Sequence, residues 1–236
     1  MKDDVILVTG GARRIGRAIA IALASGGARV AIHYHESEAE ARSTAEECGN
    51  APVFRANLES VEEIRAMVLQ VATHFGRLDG LVNNAARFSE IDPLLVEEAD
   101  WDFIHSVNLK ATFFCAQAAA KLMLAADGGR IVNISSLGGL RPWARHSHYC
   151  ASKAGVVMLS RSLAKAWAPK IAVNSVAPGV IPVGRTDARI ERLIQRTPAG
   201  RAGEASEVAD AVTYFMRAPL FITGQVLSVD GGLSLA

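Results

Sequence analysis

Tyr149 and Lys153 are separated by one helical turn, and Ser136 lies a short way upstream in the stretch SLGGLRPWARHSHYCASK. In a helix beginning near Tyr149 the phenol and the ammonium share one face, because side chains at i and i+4 lie one above the other. A phenol titrates at about pH 10, so it works as an acid or base at neutral pH only where something stabilises the phenolate, as a lysine one turn away does. Ser136, the second serine of the pair closing the apolar strand RIVNIS, can hydrogen-bond the carbonyl oxygen that such a phenol would protonate. The chemistry available to the three is proton transfer to or from a carbonyl. A tyrosine and a lysine at this spacing also arise by chance, so the rest of the chain must decide.

The elements that would position them alternate in kind. VILVTG, ARVAIHY, PVFRAN, LDGLVNNA, RIVNIS, IAVNSVAPG and QVLSVDGG read as strands, with helical patterns between successive runs. Strands separated by helices pair in parallel, and solidly apolar runs suit strands covered on both faces. With right-handed crossovers this gives an α/β fold, a Rossmann-type doubly wound parallel sheet with helices on both faces. The 236 residues, 50% hydrophobic and 21% charged, form one domain without repeats or linkers. Tyr149, Lys153 and Ser136 all fall in its later part, about 136–236, behind a first part of about 1–135. A net charge of +1 excludes a strongly basic nucleic-acid footprint. Cys48, Cys115 and Cys150 are scattered without metal spacing, which points to reduced thiols, and Cys150 beside Tyr149 reads as a buried thiol rather than a second nucleophile. Met-Lys-Asp-Asp passes straight into VILV, and no apolar run reaches spanning length, so a soluble, cytoplasmic protein without membrane or metal is expected.

The first turn, Thr9 to Gly16, joins the first strand to the first helix, where backbone N–H groups and the helix dipole favour a pyrophosphate. Gly10 lets the chain turn and Gly16 lets the helix approach, although the spacing does not fit G-x-G-x-x-G. A ribose 2′-hydroxyl would want a carboxylate at the end of the second strand, where the chain reads Ile32-His33-Tyr34-His35. Arg13 and His33, with Ser37 beyond, can instead face a 2′-phosphate, so NADPH is expected over NADH; Glu36 is the first acid and stands too late.

In these residues the chain resembles the short-chain dehydrogenase/reductase family over nearly its whole length. The matching pieces are TGGARRIG, NNAA from Asn83 to Ala86, Asn108 in SVNLKATF, Ser136, Y-x-x-x-K at Tyr149 and Lys153, APG ending in Pro178 and Gly179, and ITGQVLSVDGG. The resemblance implies a catalytic tetrad. Tyr149 donates the proton, Lys153 lowers its pKa and holds the nicotinamide ribose, Ser136 orients the carbonyl, and Asn108 supports a water feeding Lys153. It further implies cofactor contacts from Gly10, Arg13, Arg14, Ile15, Gly16, Tyr34, His35, Asn57, Leu58, Asn83, Ala85, Pro178 and Gly179, a substrate loop over about 180–198, and a homotetramer.

Two departures bear on the substrate. Asn57-Leu58 replaces the aspartate usual near the adenine, and Arg14 stands where most relatives have glycine. That arginine, IHYHES after the second strand, and Phe88 after the Asn pair resemble the pteridine reductases, in which an aromatic stacks the pterin. Against this, those enzymes place an aspartate where this chain has Ser136, and serine suits a ketone. Arg185, Arg189, Arg192 and Arg196 recur at helical spacing as a solvated face or as a contact for an acidic carrier. His146 and His148 read as a polar loop lip around Arg145, and Trp143 as pocket wall or subunit contact. The expectation is an NADPH-dependent carbonyl or imine reductase, pteridine first, with 3-oxoacyl-carrier-protein or other ketone reduction as the alternative. A nucleotide-sensing regulator without catalysis is the reading from another class.

Overall fold

The computed structural model describes residues 1–182, 184 and 188–236, with Arg189 by its backbone alone; Arg185 lies outside the described residues. Seven parallel strands form one sheet: β1 (Val5–Val8), β2 (Arg29–Tyr34), β3 (Val53–Arg55), β4 (Gly80–Asn83), β5 (Gly129–Ile134), β6 (Ile171–Pro178) and β7 (Val226–Val229). Their order is β3-β2-β1-β4-β5-β6-β7. The winding reverses between β1 and β4, and a crevice opens at the carboxyl ends there, where ligands bind in sheets of this kind. All thirteen alternating elements expected from the sequence are present at the expected places.

The strands are apolar because helices cover both faces. All four residues of β1 are buried, and each such Val, Ile or Leu contributes about 1.5–3 kcal/mol. On one face α3 (Val61–Phe75), α5 (Thr112–Ala125) and α6 (Ser147–Trp167) pack Ile64, Met67, Met123 and Leu163 against the sheet. On the other, α1 (Arg14–Ser25), α2 (Glu38–Glu47) and α8 (Ala205–Arg217) pack Ile19, Leu23, Ala41, Val212 and Phe215. The expected substrate loop is not wholly a loop: α7 (Ala188–Arg196) lies inside it, so Arg192 and Arg196 sit on a helix. Among the described residues no helix is long and apolar enough to cross a membrane.

Two irregularities shape the site. Between α4 (Glu98–His105) and α5 the chain widens into a π-helical segment, Ser106–Ala111, a feature often found at functional sites. Thr112 Oγ1, at the start of α5, donates back into it to the Asn108 carbonyl at 2.8 Å. Behind the crevice a polar row crosses three strands, since Asn83 pairs in register with Asn133 and Asn133 with Ser175. Asn83 Nδ2 donates to Asn133 Oδ1 at 2.8 Å, Asn133 Nδ2 donates to Ser160 Oγ of α6 at 2.8 Å, and Ser175 Oγ donates to the same oxygen.

Candidate active site

The sequence places Tyr149 at the start of α6 and Lys153 one turn on, with both side chains buried. Ser136 arrives from the other direction, just past β5; its hydroxyl stands near enough to the Tyr149 phenol to pull the phenol's pKa down, and it accepts the Gly138 N–H at 3.1 Å. Lys153 Nζ donates to the Ile134 carbonyl at 2.9 Å and lies 6.0 Å from the Tyr149 ring centre. Ser135 Oγ donates to the Lys153 carbonyl at 2.9 Å, tying the end of β5 to this turn of α6. Burial pulls the Lys153 ammonium down to about 8. The phenol does not follow the expectation of a lowered value. Burial holds it above the ordinary tyrosine value, outweighing the Ser136 hydroxyl that pulls it down, because removing the phenolate from water opposes its formation. The result is a protonated phenol beside a hydroxyl and a lysine, a group arranged to give a proton to an oxygen.

Asn108 joins this group through the backbone of the chain after β4. Its Oδ1 accepts the Arg87 N–H at 2.7 Å, and its Nδ2 donates to the Arg87 carbonyl at 3.0 Å and to Ser152 Oγ at 3.1 Å. Arg87 is anchored in turn by an ion pair with Glu59, by a bond to the Phe103 carbonyl at 3.1 Å and by stacking of its guanidinium 4.2 Å over the Phe103 ring.

At the first βα turn Gly10 adopts φ +61, and a Cβ there would press on Ala85 and Asn84; one on Gly16 would strike the Gly10 carbonyl. Arg13, the N-cap of α1, makes no side-chain cap and no acid stands in the first turn, so the N–H groups and dipole of that end suit an anion. These residues fit a dinucleotide phosphate. Asn84, absent from the expected set, clasps the turn, its Nδ2 donating to the Thr9 and Gly10 carbonyls at 3.0 and 3.1 Å. Its signal was the second Asn of the pair.

Several expected contacts take other roles. His33 does not offer a charge to a 2′-phosphate: burial pulls its pKa down to about 4. The neutral ring accepts the Gly10 N–H at Nδ1 (3.0 Å) and donates from Nε2 to the Ala56 carbonyl (3.1 Å). Asn83 spends its amide on Thr112 and Asn133 inside the fold, while the Tyr34 and Leu58 side chains lie in the core. Asn57 Oδ1 accepts the Glu59 N–H at 3.0 Å. Arg13, His35 and Ser37 remain toward the surface, as does Arg55, which sequence reading missed. The β2–β3 register sets Arg55 beside Tyr34, and its Nε donates to the His35 carbonyl at 3.2 Å. Ile15 is half-buried behind the turn, and Gly179, after Pro178 at the end of β6, donates to the Val229 carbonyl at 2.9 Å.

Comparison with known proteins decides the family. A family model described as enoyl-(acyl carrier protein) reductase matches residues 10–234. The chain is 36% identical over 238 residues to a 3-oxoacyl-[acyl-carrier-protein] reductase of Synechocystis, covering 98% of this chain and 96% of that protein. A doubly substituted short-chain dehydrogenase/reductase from Serratia marcescens superposes with a TM-score of 0.93 at 34% identity, covering 99% and 98% of the two chains. The chain belongs to the short-chain dehydrogenase/reductase family. A variant of actinorhodin polyketide ketoreductase solved with NADPH also superposes, with a TM-score of 0.92 at 32% identity over the whole of both chains. These three relatives bear the names of acyl-carrier, general short-chain and polyketide reductases, and none of the three bears that of a pterin reductase.

As a member of the short-chain dehydrogenase/reductase family, the chain is an oxidoreductase, and around its candidate proton donor stands an aromatic wall. Phe88 meets Tyr149 edge-on with ring centres 4.8 Å apart, and Trp143 lies parallel to Tyr149 at 6.0 Å. His146 fits between them, stacked on Phe88 at 4.8 Å and edge-on to Trp143 at 5.7 Å. Phe88 itself remains 58% exposed. Arg14, the departure from the commoner glycine, sits at φ +57. Burial raises the Cys150 thiol, which makes it a weak nucleophile.

Proposed function

We propose that this chain reduces a ketone carbonyl with NADPH, and that a 3-oxoacyl thioester is its substrate class. The observation that carries the reading is that Ser136, just past β5, and Tyr149, at the start of α6 one turn before Lys153, are both buried, with the serine hydroxyl acting on the phenol: two neutral O–H groups are offered to a carbonyl oxygen that would accept them both. In this reading Tyr149 gives the proton, Ser136 orients the oxygen, and Lys153 places its charge below the phenol so that the phenolate left behind is stabilised. Asn108 holds the Arg87 backbone and Ser152 of α6 with its side chain, and accepts the Thr112 hydroxyl with its carbonyl. Reduced nicotinamide, when bound, supplies the hydride. The turn from Gly10 to Gly16 with Arg13 would hold its phosphates, Ser37 and Asn57 the adenosine end, Ala85, Pro178 and Gly179 the nicotinamide end, and Lys153 the ribose. Residues 1–135 thus serve mainly the cofactor and 136–236 mainly the substrate, with part of the substrate wall, Phe88, coming from the first. Exposed apolar side chains such as Trp101, Phe103 and Met158 support a homo-oligomer, with four copies the expectation.

The pterin reading draws on Phe88 and Arg14, but a hydroxyl at Ser136 lacks the carboxyl suited to protonating a ring nitrogen, and the names of the relatives support the ketone. NADPH oxidation measured side by side with an acetoacetyl thioester, a simple ketone and dihydrobiopterin tests the choice. The thioester should turn over best, and better turnover of the dihydropterin overturns the substrate class. Tyr149→Phe should lower turnover by at least about 10²-fold with NADPH affinity unchanged; an active Phe variant overturns the mechanism.

A further inference from the structure

Two irregular segments flank Tyr149, residues 87–92 after β4 and 141–146 leading into α6, and they are fastened to each other along their length. Ile91 N–H donates to the Arg145 carbonyl at 3.0 Å, and Arg145 Nε donates to Glu90 Oε1 at 3.0 Å. At the centre stands Ser89. Its carbonyl accepts from His146 Nδ1 at 2.9 Å, and its hydroxyl lies 2.7 Å from His148 Nε2. Two histidines, both fully buried, therefore grip one serine at two different atoms. The next residue back is Phe88, whose ring stacks on His146 and meets Tyr149 edge-on.

The geometry points to Ser89, His146 and His148 as positioning residues that hold the Phe88 ring against Tyr149 and so set how well a carbonyl substrate is seated. The inference rests on Tyr149 being the proton donor. Packing alone does not account for the pair. Nδ1 of His148 is buried with no hydrogen-bond partner among the described residues, a costly arrangement that an aliphatic side chain of similar size would avoid. What the ring contributes in exchange is its contact with Ser89. Residues 84–92 have no regular secondary structure, so without this grip the segment would have to be ordered by the substrate, and the ordering cost would appear as weaker binding. Held in advance, Phe88 presents a fixed wall.

The test compares Ser89→Ala, Ser89→Thr and His148→Leu, with acetoacetyl-CoA as the probe. Ser89→Ala and His148→Leu should each raise KM by about two- to tenfold, the value of one neutral hydrogen bond, while kcat and the NADPH Kd stay near the parent's. Ser89→Thr, which keeps the hydroxyl, should restore the parental KM. His148→Leu should keep or raise Tm, since it removes the unpaired nitrogen; a merely structural histidine would lower Tm instead. Ser89 is only half-buried, so its variants keep the test alive if His148→Leu fails to fold. Parental KM in Ser89→Ala, or a loss confined to kcat, overturns the inference. Tyr149→Phe run alongside separates the two readings: an active Phe variant removes the proton donor itself, whereas an inactive one beside a Ser89→Ala variant with parental KM removes the clamp alone.

Discussion

Arg87 and Asn108 are paired reciprocally, the amide oxygen taking the arginine N–H at 2.7 Å and the amide nitrogen giving to its carbonyl at 3.0 Å. A side chain here completes the hydrogen bonding of a backbone that no strand or helix serves. Asn108→Ala leaves the Arg87 N–H and carbonyl short of a partner, while Ser152 Oγ keeps its bond to the Tyr149 carbonyl, and should cost about 1–3 kcal/mol of stability. Asn108→Asp keeps the acceptor but turns a carboxylate oxygen toward the Arg87 carbonyl, so it should be no better tolerated. Thermal denaturation of both variants checks this, and an unchanged Tm in Asn108→Ala contradicts it.

Lys153 moves activity and stability in opposite directions with pH. Lys153 titrates at about 8 in the fold and at about 10.4 in the unfolded chain. Burial raises the Tyr149 phenol above its ordinary value, so it still holds its proton where Lys153 loses one. Reduction needs a protonated Tyr149 beside a charged Lys153, so kcat/KM of the free enzyme should fall as pH rises through about 8. Between about 8 and 10.4 the unfolded chain binds the extra proton, so the lysine's contribution to the stability of the cofactor-free protein should rise with pH. Lys153→Met should flatten both trends. A pH–rate profile and Tm measured over the same range read them separately.

Cofactor choice should depend on Arg13 and not on His33. A charge-assisted bond to a 2′-phosphate is worth about 1.5–3 kcal/mol, so Arg13→Ala should reduce the preference for NADPH over NADH by roughly tenfold to hundredfold. His33→Ala should instead destabilise the fold by about 1–3 kcal/mol, because the Gly10 N–H and the Ala56 carbonyl lose their buried partner. Titration of each variant with both nucleotides, together with its Tm, distinguishes the outcomes.

Arg14 occupies a left-handed backbone conformation, φ +57. For a residue with a Cβ this costs about 1–2 kcal/mol, set against the extra 0.5–1 kcal/mol or so of chain freedom that glycine gives up on folding. Arg14→Gly should therefore leave stability unchanged or raise it by up to about 1.5 kcal/mol. If the guanidinium serves only the cofactor phosphates, the variant should lose NADPH affinity but keep its kcat on ketones at saturating NADPH. Loss of ketone kcat under those conditions would place Arg14 at the substrate.

The fold was legible because its cause is local: apolar runs of strand length alternating with helical periodicity leave little choice but a covered parallel sheet. Tyr149, Lys153 and Ser136 were legible for the same reason, since one helical turn and the end of one strand bring them together. What escaped depends on neighbours distant in the chain. Nothing in IHYH says that His33 turns inward, because that follows from Gly10 and Ala56 closing on its two nitrogens. Arg55 becomes a neighbour of the second strand only through the β2–β3 register. Ser89 carried no signal at all, as its two histidines lie more than fifty residues away.

The polar row Asn83, Asn133 and Ser175 bears on how the chain selects its own alignment while folding. Strands composed of Val, Ile and Leu fit one another almost equally well when displaced by two residues, since that shift keeps every side chain on its original face. Displaced in this way, β4 would set Leu81 against Asn133 and leave the amide facing hydrocarbon, at a cost of about 1–3 kcal/mol for each unsatisfied group. Three polar side chains and Ser160 of α6 thus act as a key cut into an otherwise smooth lock. The misaligned sheets that the aliphatic residues would tolerate are rejected by the interior itself, before any substrate has been met.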